Sequence, residues 1–364
     1  MKIVIRTDVS IQIGIGHVMR CLTLADTLKN YTNIEVTFVC RDQLGLTRTM
    51  ITDRGYKLIS LPKITRSFEP GSNEPTHAKW LGVSWTQDIE DTLQGIGKNN
   101  VDWIIVDHYA IDYRWHQLAR KFCNKIMVID DLADRKYDCD VLLDQTFGRT
   151  SNAYQLLVPK VCQLLLGPKF ALLRNEFSLL RPKALEKRRQ ISSISHILIS
   201  LGTLDPDNIT KRVLDALSSV KWVKPPVVDL VLGSSSPSFD RIKKITKNYP
   251  LDIYLYTDIS NMAELMLKSD LSIGAGGTTS WERCCMALPT ILLVLAENQV
   301  LTGKNLDKAG ATITLLEDTE LEENIKNAVD NLIENRSKYL ELSNCTAAIC
   351  SGAGATKVAQ EILK

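Results

Sequence analysis

Two successive series of short apolar runs, each interleaved with helix-patterned stretches, constrain this chain most. Residues 2–6, 34–40, 103–107 and 126–130 read as strands, and 18–29 and 115–122, lying between such runs, carry helical periodicity. A strand, a helix and a further strand imply a parallel βαβ unit, because a parallel neighbour is reached only by a crossover. A second series follows at 196–201, 227–232, 252–256, 271–274 and 291–295, with helical stretches at 208–217 and 262–268. The predicted class is α/β, with two Rossmann-like, doubly wound parallel-sheet domains facing a central cleft. At 364 residues the chain exceeds the size at which one core usually stops growing, so two domains are expected. They are placed at 1–165 and 196–345, separated by a linker at 166–195 where Gly167-Pro-Lys, an Arg-Pro and a basic cluster weaken the pattern. The stretch 320–364 is rich in helix formers and interrupted at Ser351-Gly-Ala-Gly354, which predicts two or three terminal helices.

Charge excludes some functions. The net charge of +2 is small, and the cluster Lys183, Lys187, Arg188 and Arg189 reads as a solvated linker or helix face, so no nucleic-acid partner is expected. The nine cysteines form an odd set with no Cys-x-x-Cys and read as reduced thiols. The chain opens on strand-like Met1-Lys-Ile-Val-Ile, which leaves no room for a secretory segment, and no apolar run reaches the ~18 residues of a membrane helix. The expectation is a cytoplasmic monomer without stable membrane association.

In doubly wound sheets ligands sit at the carboxyl ends of the strands. The first candidate segment there runs from Arg6-Thr-Asp8 through Gly14-Ile-Gly16-His17-Val-Met-Arg20-Cys-Leu, where a strand ends, a glycine loop turns and a helix begins. Glycines allow close backbone approach and a helix start offers free N–H groups, although the third glycine of a dinucleotide fingerprint is absent. His17, beside Asp8, is placed to take a proton from water; a packed or capping histidine is the plainer alternative. Asp107-His108-Tyr109 and Asp130-Asp131 follow two other strands. These carboxylates are candidates to orient His17, to bind sugar hydroxyls, or simply to cap the next helices. No metal and no cofactor is predicted.

The most specific segment is Gly274-Ala-Gly276-Gly277-Thr278-Thr279-Ser-Trp-Glu282-Arg283, a strand entering a glycine turn and a helix with hydroxyls in its first turn. Such a turn cradles a diphosphate, and Glu282 is suited to hold a ribose diol, with a solvated helix residue as the plainer alternative. Gly202 with Thr203, after Ser200-Leu, and Asn298-Gln299, after 291–295, extend the candidate nucleotide site. The proline-rich excursion at 61–76 and the loop reaching residue 85 bring Trp80 or Trp85 forward as a sugar contact.

Taken in order, Gly14-Ile-Gly-His-Val-Met-Arg-Cys-Leu, Val106-Asp-His-Tyr, Ile129-Asp-Asp-Leu-Ala-Asp-Arg, Leu142-Leu-Asp-Gln, Gly167-Pro-Lys-Phe-Ala-Leu-Leu-Arg, Gly274-Ala-Gly-Gly-Thr-Thr-Ser-Trp-Glu-Arg-Cys and Asn298-Gln299 resemble the PseG family. These are UDP-2,4-diacetamido-2,4,6-trideoxy-β-L-altropyranose hydrolases of pseudaminic acid biosynthesis, related to MurG-type glycosyltransferases. The resemblance implies a GT-B fold, with a terminal helix at 346–364 packing back toward the first domain. It also implies metal-independent hydrolysis of a UDP-sugar: His17 activates water, which attacks the anomeric carbon with inversion. Asp8, Gly14, Gly16, Arg20, Asp107, His108, Tyr109, Asn298 and Gln299 would then line the sugar and diphosphate, and Gly202, Gly276, Gly277, Thr278, Thr279 and Glu282 the UDP. One departure is that Ser200-Leu-Gly202-Thr203-Leu-Asp-Pro stands where the family is closer to Ser-Phe-Gly-Gly-x-Asp. A MurG-like transferase and a non-catalytic nucleotide-sugar binder are the alternatives.

Overall fold

A computed structural model describes residues 1–10, 12–41, 47–64, 68–97, 100–202, 208–234, 236–257 and 259–364. Thr203 and the Leu-Asp-Pro after it, and residues 65–67 of the excursion, lie outside the described residues. The chain divides into two compact units, Met1–Leu172 with Gly354–Lys364, and Leu173–Ala353.

The first unit is built on seven parallel strands in the order β3-β2-β1-β4-β5-β6-β7. These are β1 (Lys2–Thr7), β2 (Glu35–Cys40), β3 (Lys57–Ser60), β4 (Val101–Asp107), β5 (Cys123–Ile129), β6 (Val141–Asp144) and β7 (Gln163–Leu166). Between them run α1 (Gly16–Leu28), α2 (Thr47–Thr52), α3 (Trp85–Ile96) and α4 (Tyr113–Ala119). The central strands are apolar on both faces because both are covered. Ile3, Ile5, Ile105, Met127 and Ile129 pack with α1, whereas Val4, Ile104, Val106, Ile126 and Val128 pack on the opposite face around Trp115 and Ile89.

The second unit has six parallel strands in the order β10-β9-β8-β11-β12-β13. They are β8 (His196–Ser200), β9 (Val227–Val231), β10 (Asp252–Tyr256), β11 (Leu271–Ala275), β12 (Thr290–Val294) and β13 (Ile313–Leu316). The helices are α5 (Asn175–Arg189), α6 (Ile209–Ser219), α7 (Phe239–Thr246), α8 (Met262–Lys268), α9 (Thr279–Cys285), α10 (Glu297–Lys308), α11 (Leu321–Glu334) and α12 (Arg336–Ile349). The last helix, α13 (Gly354–Ile362), belongs to the first unit, where Val358, Ala359 and Ile362 join the core beside α1. A side chain on Gly354 would overlap the backbone of Ala171, so the start of α13 requires glycine.

Much of the stretch read as a linker is the 15-residue helix α5. Its sequence hides it: Pro182 lies inside it, and only Phe177, Ala184 and Arg188 are buried. It is held by arginines bound to backbone carbonyls instead of by an apolar stripe. Arg181 donates to Cys285 O at 2.6 Å, Cys350 O at 2.9 Å and Ala347 O at 2.8 Å, and Arg188 donates to Met266 O at 2.7 Å.

Candidate functional site

Strand order reverses between β1 and β4 in the first sheet and between β8 and β11 in the second. At such points the connections leave in opposite directions and open a crevice at the carboxyl ends of the strands. In the first unit that crevice is flanked by Thr7 and Asp107, which are register partners, and α1 starts beside it. Gly14, at φ +72°, turns the chain into α1; Gly16 is the first helical residue and His17 the second.

His17 meets Asp107, not Asp8. Its Nδ1 lies 2.6 Å from Asp107 Oδ1. A carboxylate only accepts, so this short contact places the proton on Nδ1 and leaves the lone pair on Nε2; the more distant Arg20 Nη2, 3.4 Å from Nδ1, does not compete. Arg20, one turn on, clamps the same carboxylate through Nε and Nη2, both at 2.6 Å, and reaches Asp131 with Nη1 at 2.5 Å. Burial opposes the charge on Asp107, but Arg20 and His17 outweigh it and hold the carboxyl below its usual range. Tyr109 donates to Asp131 at 2.6 Å and sets its ring edge-on to His17, with centroids 4.6 Å apart. Burial and the Asp131 charge push the Tyr109 phenol up, so it stays protonated as a donor.

The excursion reaches this cluster. The rings of His77 and Trp80 stand 5.8 and 5.9 Å from Tyr109 and 4.4 Å from each other, forming one aromatic wall with His17 at its inner end. Trp85 is elsewhere, with the Arg114 guanidinium 5.2 Å from its ring centre.

Asp8 and His108, read from the sequence as sugar ligands, lie in a second, wholly buried network. Arg6 grips Asp8 at 2.5 and 2.9 Å and Asp88 at 3.1 and 2.6 Å. Asp8 also accepts from Arg41 N at 2.6 Å, and Arg41 continues to Asp91 at 2.8 Å. His108 Nδ1 accepts from Ala110 N at 3.1 Å, so its proton is on Nε2, 3.2 Å from Asp8, and burial lowers its basicity. Asp8, held by Arg6 and by Arg41 N, and His108 beside it sit at the ends of β1 and β4. Asp130 is likewise internal, paired with Arg135 at 3.0 Å and accepting from Tyr154 at 2.8 Å. Sequence reasoning missed Arg6, Arg41, Asp88 and Asp91. The available signal was Arg6 itself, a charge within the apolar strand β1 that burial obliges to find carboxylates.

In the second unit the crevice between β8 and β11 is bordered by Gly202, at φ +109°, and by the turn from Gly274 into α9. Gly277 and Thr278 are exposed, Thr279 is half-buried, and among the described residues the N–H groups of all three have no hydrogen-bond partner. Glu282 is partly buried, 3.8 Å from Arg174, and burial pushes its carboxyl up to about 7. Gln299 is used internally: its Oε1 accepts from Leu295 N at 3.0 Å and Gly276 N at 3.3 Å, tying the turn to the end of β12. Asn298 is exposed in the first turn of α10. No group of three or more His, Cys, Asp or Glu among the described residues is arranged to hold a metal, and no helix among them is long and apolar enough to cross a membrane.

Two parallel-sheet units of seven and six strands define the GT-B fold class. MurG of Acinetobacter baumannii superposes with a TM-score of 0.68 at 16% identity, covering 100% of this chain and 99% of that one. The UDP-GlcNAc 2-epimerase of Neisseria meningitidis superposes with a TM-score of 0.66 at 14% identity and full coverage of both chains. Within that class, residues 196–362 match the glycosyltransferase family 28 C-terminal domain. The sequence is distantly similar to the UDP-2,4-diacetamido-2,4,6-trideoxy-β-L-altropyranose hydrolase of Campylobacter jejuni, at 26% identity over 85% of this chain and 97% of the relative. It is 28% identical to an uncharacterized protein of Methanocaldococcus jannaschii over 82% of this chain, a match that spans 57% of that protein's length. It is also 22% identical to the spore coat polysaccharide biosynthesis protein SpsG of Bacillus subtilis, over 86% of this chain and 84% of the relative.

Proposed function

We propose that this chain hydrolyses a UDP-linked 2,4-diacetamido-2,4,6-trideoxy-β-L-altropyranose to UDP and the free sugar. The observation that carries the reading is the His17–Asp107 pair at the strand switch point of the first unit, 2.6 Å apart and locked by Arg20. With Nδ1 donating to Asp107, Nε2 is the basic nitrogen and is free to take a proton from water. The activated water attacks the anomeric carbon, the C–O bond to the diphosphate breaks with inversion, and UDP leaves carrying the negative charge. A positioned general base contributes typically ~10² to 10⁴-fold. Tyr109, held by Asp131, and the wall of His77 and Trp80 are placed in this reading to receive the sugar. Gly14 and Gly16 give close backbone approach. The second unit receives UDP through the free N–H groups of Gly277, Thr278 and Thr279, with Gly202 and Gly276 shaping the crevice, Glu282 on the ribose, and Asn298 at the start of α10 near the diphosphate. The similarity to the Campylobacter jejuni hydrolase along 85% of this chain supports the substrate class.

A second reading, a UDP-sugar transferase that delivers the sugar to an acceptor hydroxyl, draws on the family 28 match over residues 196–362. The two separate in one assay, UDP release from the purified substrate with chelator present and no acceptor. The hydrolase reading expects release by the native protein and a loss of at least ~10²-fold in His17→Ala. Tight UDP binding with no release by either protein favours the transferase.

A further inference from the structure

Among the described residues, Arg283 is a buried cation with no carboxylate partner, directly beneath the glycine turn of the second unit. Its side chain is almost wholly inaccessible, and Nη2 donates to Ala275 O at 2.6 Å and to Ser280 Oγ at 3.0 Å. Among the described residues, Nε and Nη1 have no hydrogen-bond partner. The guanidinium lies against the bare backbone of Gly274, at the carboxyl end of β11. A Cβ on Gly274 would overlap Nη1 and lie 2.9 Å from Cζ, and 3.0 Å from Ser200 O at the end of β8. The charge therefore sits in the floor of the crevice where strand order reverses.

An unpaired buried charge is costly, and most buried arginines among the described residues avoid it. The buried Arg6, Arg20, Arg41 and Arg135 each hold two carboxylates. Among the described residues Arg188 also lacks a contacting carboxylate, and its Nε and Nη1 are likewise unpartnered, but it donates to Met266 O in the last turn of α8, where a helix dipole favours a cation, and the Asp270 charge acts on it. Arg283 has the reverse environment, since its guanidinium curls back from α9 toward the turn that precedes that helix, the positive end of the helix dipole. Burial lowers its basicity only to about 10, so it remains charged at neutral pH. Nothing adjacent compensates it fully, because burial also pushes neighbouring Glu282 up to about 7.

We infer that Arg283 is the built-in counter-cation of the nucleotide turn: it pins the Ala275 carbonyl so that the following N–H groups stay free, and its uncompensated charge is neutralised by the diphosphate of the ligand. The inference rests on the nucleotide reading of this unit and adds what selects a diphosphate over an uncharged nucleoside. Arg283 is a positioning residue that acts through the turn and through its field.

Calorimetric titration of the full chain with UDP, uridine and inorganic pyrophosphate tests it, using the native protein, Arg283→Gln and Arg283→Lys, with thermal melting of each. The expected result is a ~10- to 100-fold loss of UDP and pyrophosphate affinity in R283Q with uridine affinity within about 2-fold, and partial recovery in R283K, which keeps the charge without the fork. Parallel loss of UDP and uridine, or unchanged UDP affinity, overturns the inference, because a merely structural residue does not distinguish the two ligands. A native protein that binds pyrophosphate in an Arg283-dependent way but not UDP refutes the nucleotide reading and upholds the cation. One that binds none of the three refutes both.

Discussion

Replacing Asp107 by Asn separates a catalytic His17 from a packed one. The carboxylate is fully buried and takes four donors: His17 Nδ1, Arg20 Nε and Nη2, and the Cys21 thiol at 3.4 Å. Removing its charge leaves Arg20 buried with only Asp131, and breaking a buried pair costs about 3–5 kcal/mol. For a unit of this size that lowers the melting temperature by about 6–20 °C. The amide also turns an N–H toward His17, which reverses the tautomer so that Nε2 carries the proton and the base is lost. The analogous change in a Ser-His-Asp triad costs about 10⁴-fold in rate. UDP-sugar hydrolysis measured well below the melting transition should therefore fall ~10²- to 10⁴-fold in D107N. His17→Ala should match that loss with a far smaller melting shift, because the Asp107–Arg20 clamp survives. Retention of more than a tenth of native activity by folded D107N would refute the tautomer argument and leave Asp107 as scaffold alone.

Three further expectations follow from the same geometry. Trp80→Ala removes the outer part of the aromatic wall and should raise KM about 10-fold with kcat less affected, whereas Trp85→Ala should leave both unchanged; steady-state kinetics decides. Uridine affinity should rise as pH passes through about 7, where Glu282 ionises and becomes a full acceptor for the ribose hydroxyls; Glu282→Gln should flatten that profile in calorimetry. The third concerns His116, which burial and then Arg135 and Arg120 push down to about 3, against ~6.5 in the unfolded chain. Between those values the unfolded state binds the extra proton, so stability falls as pH falls, by up to about 1.4 kcal/mol per pH unit, and His116→Asn should lessen the slope of melting temperature between pH 6.5 and 4. Burial lowers His108 in the same sense, so the slope shrinks without vanishing.

What the sequence reveals here depends on how locally each feature is encoded. The central strands β1, β4, β8 and β11 are apolar runs of five to seven residues that lead into polar or glycine residues, and their period alone marks the carboxyl edge that carries His17 and the glycine turn. Strands β3, β6, β7 and β13 are four residues each, too short for periodicity to register; β6 and β7 are completed by their parallel neighbours. Helix α5 escapes because its contacts are arginine to carbonyl. At the site, His17 stands out by its position, but its partner does not: Asp8 is nine residues away in sequence and Asp107 ninety, and only the pairing of β1 with β4 selects the latter. The Arg6 and Arg41 network is likewise a long-range product, joining Asp8 to Asp88 and Asp91.

The central claim is that His17 directs water to the anomeric carbon. The most direct measurement is hydrolysis of the UDP-sugar in ¹⁸O-enriched water, with mass analysis of both products by native protein and His17→Ala. Label is expected in the anomeric hydroxyl of the sugar and none in UDP, with turnover lost in the variant while UDP still binds. Label appearing in UDP, or full turnover without His17, contradicts it.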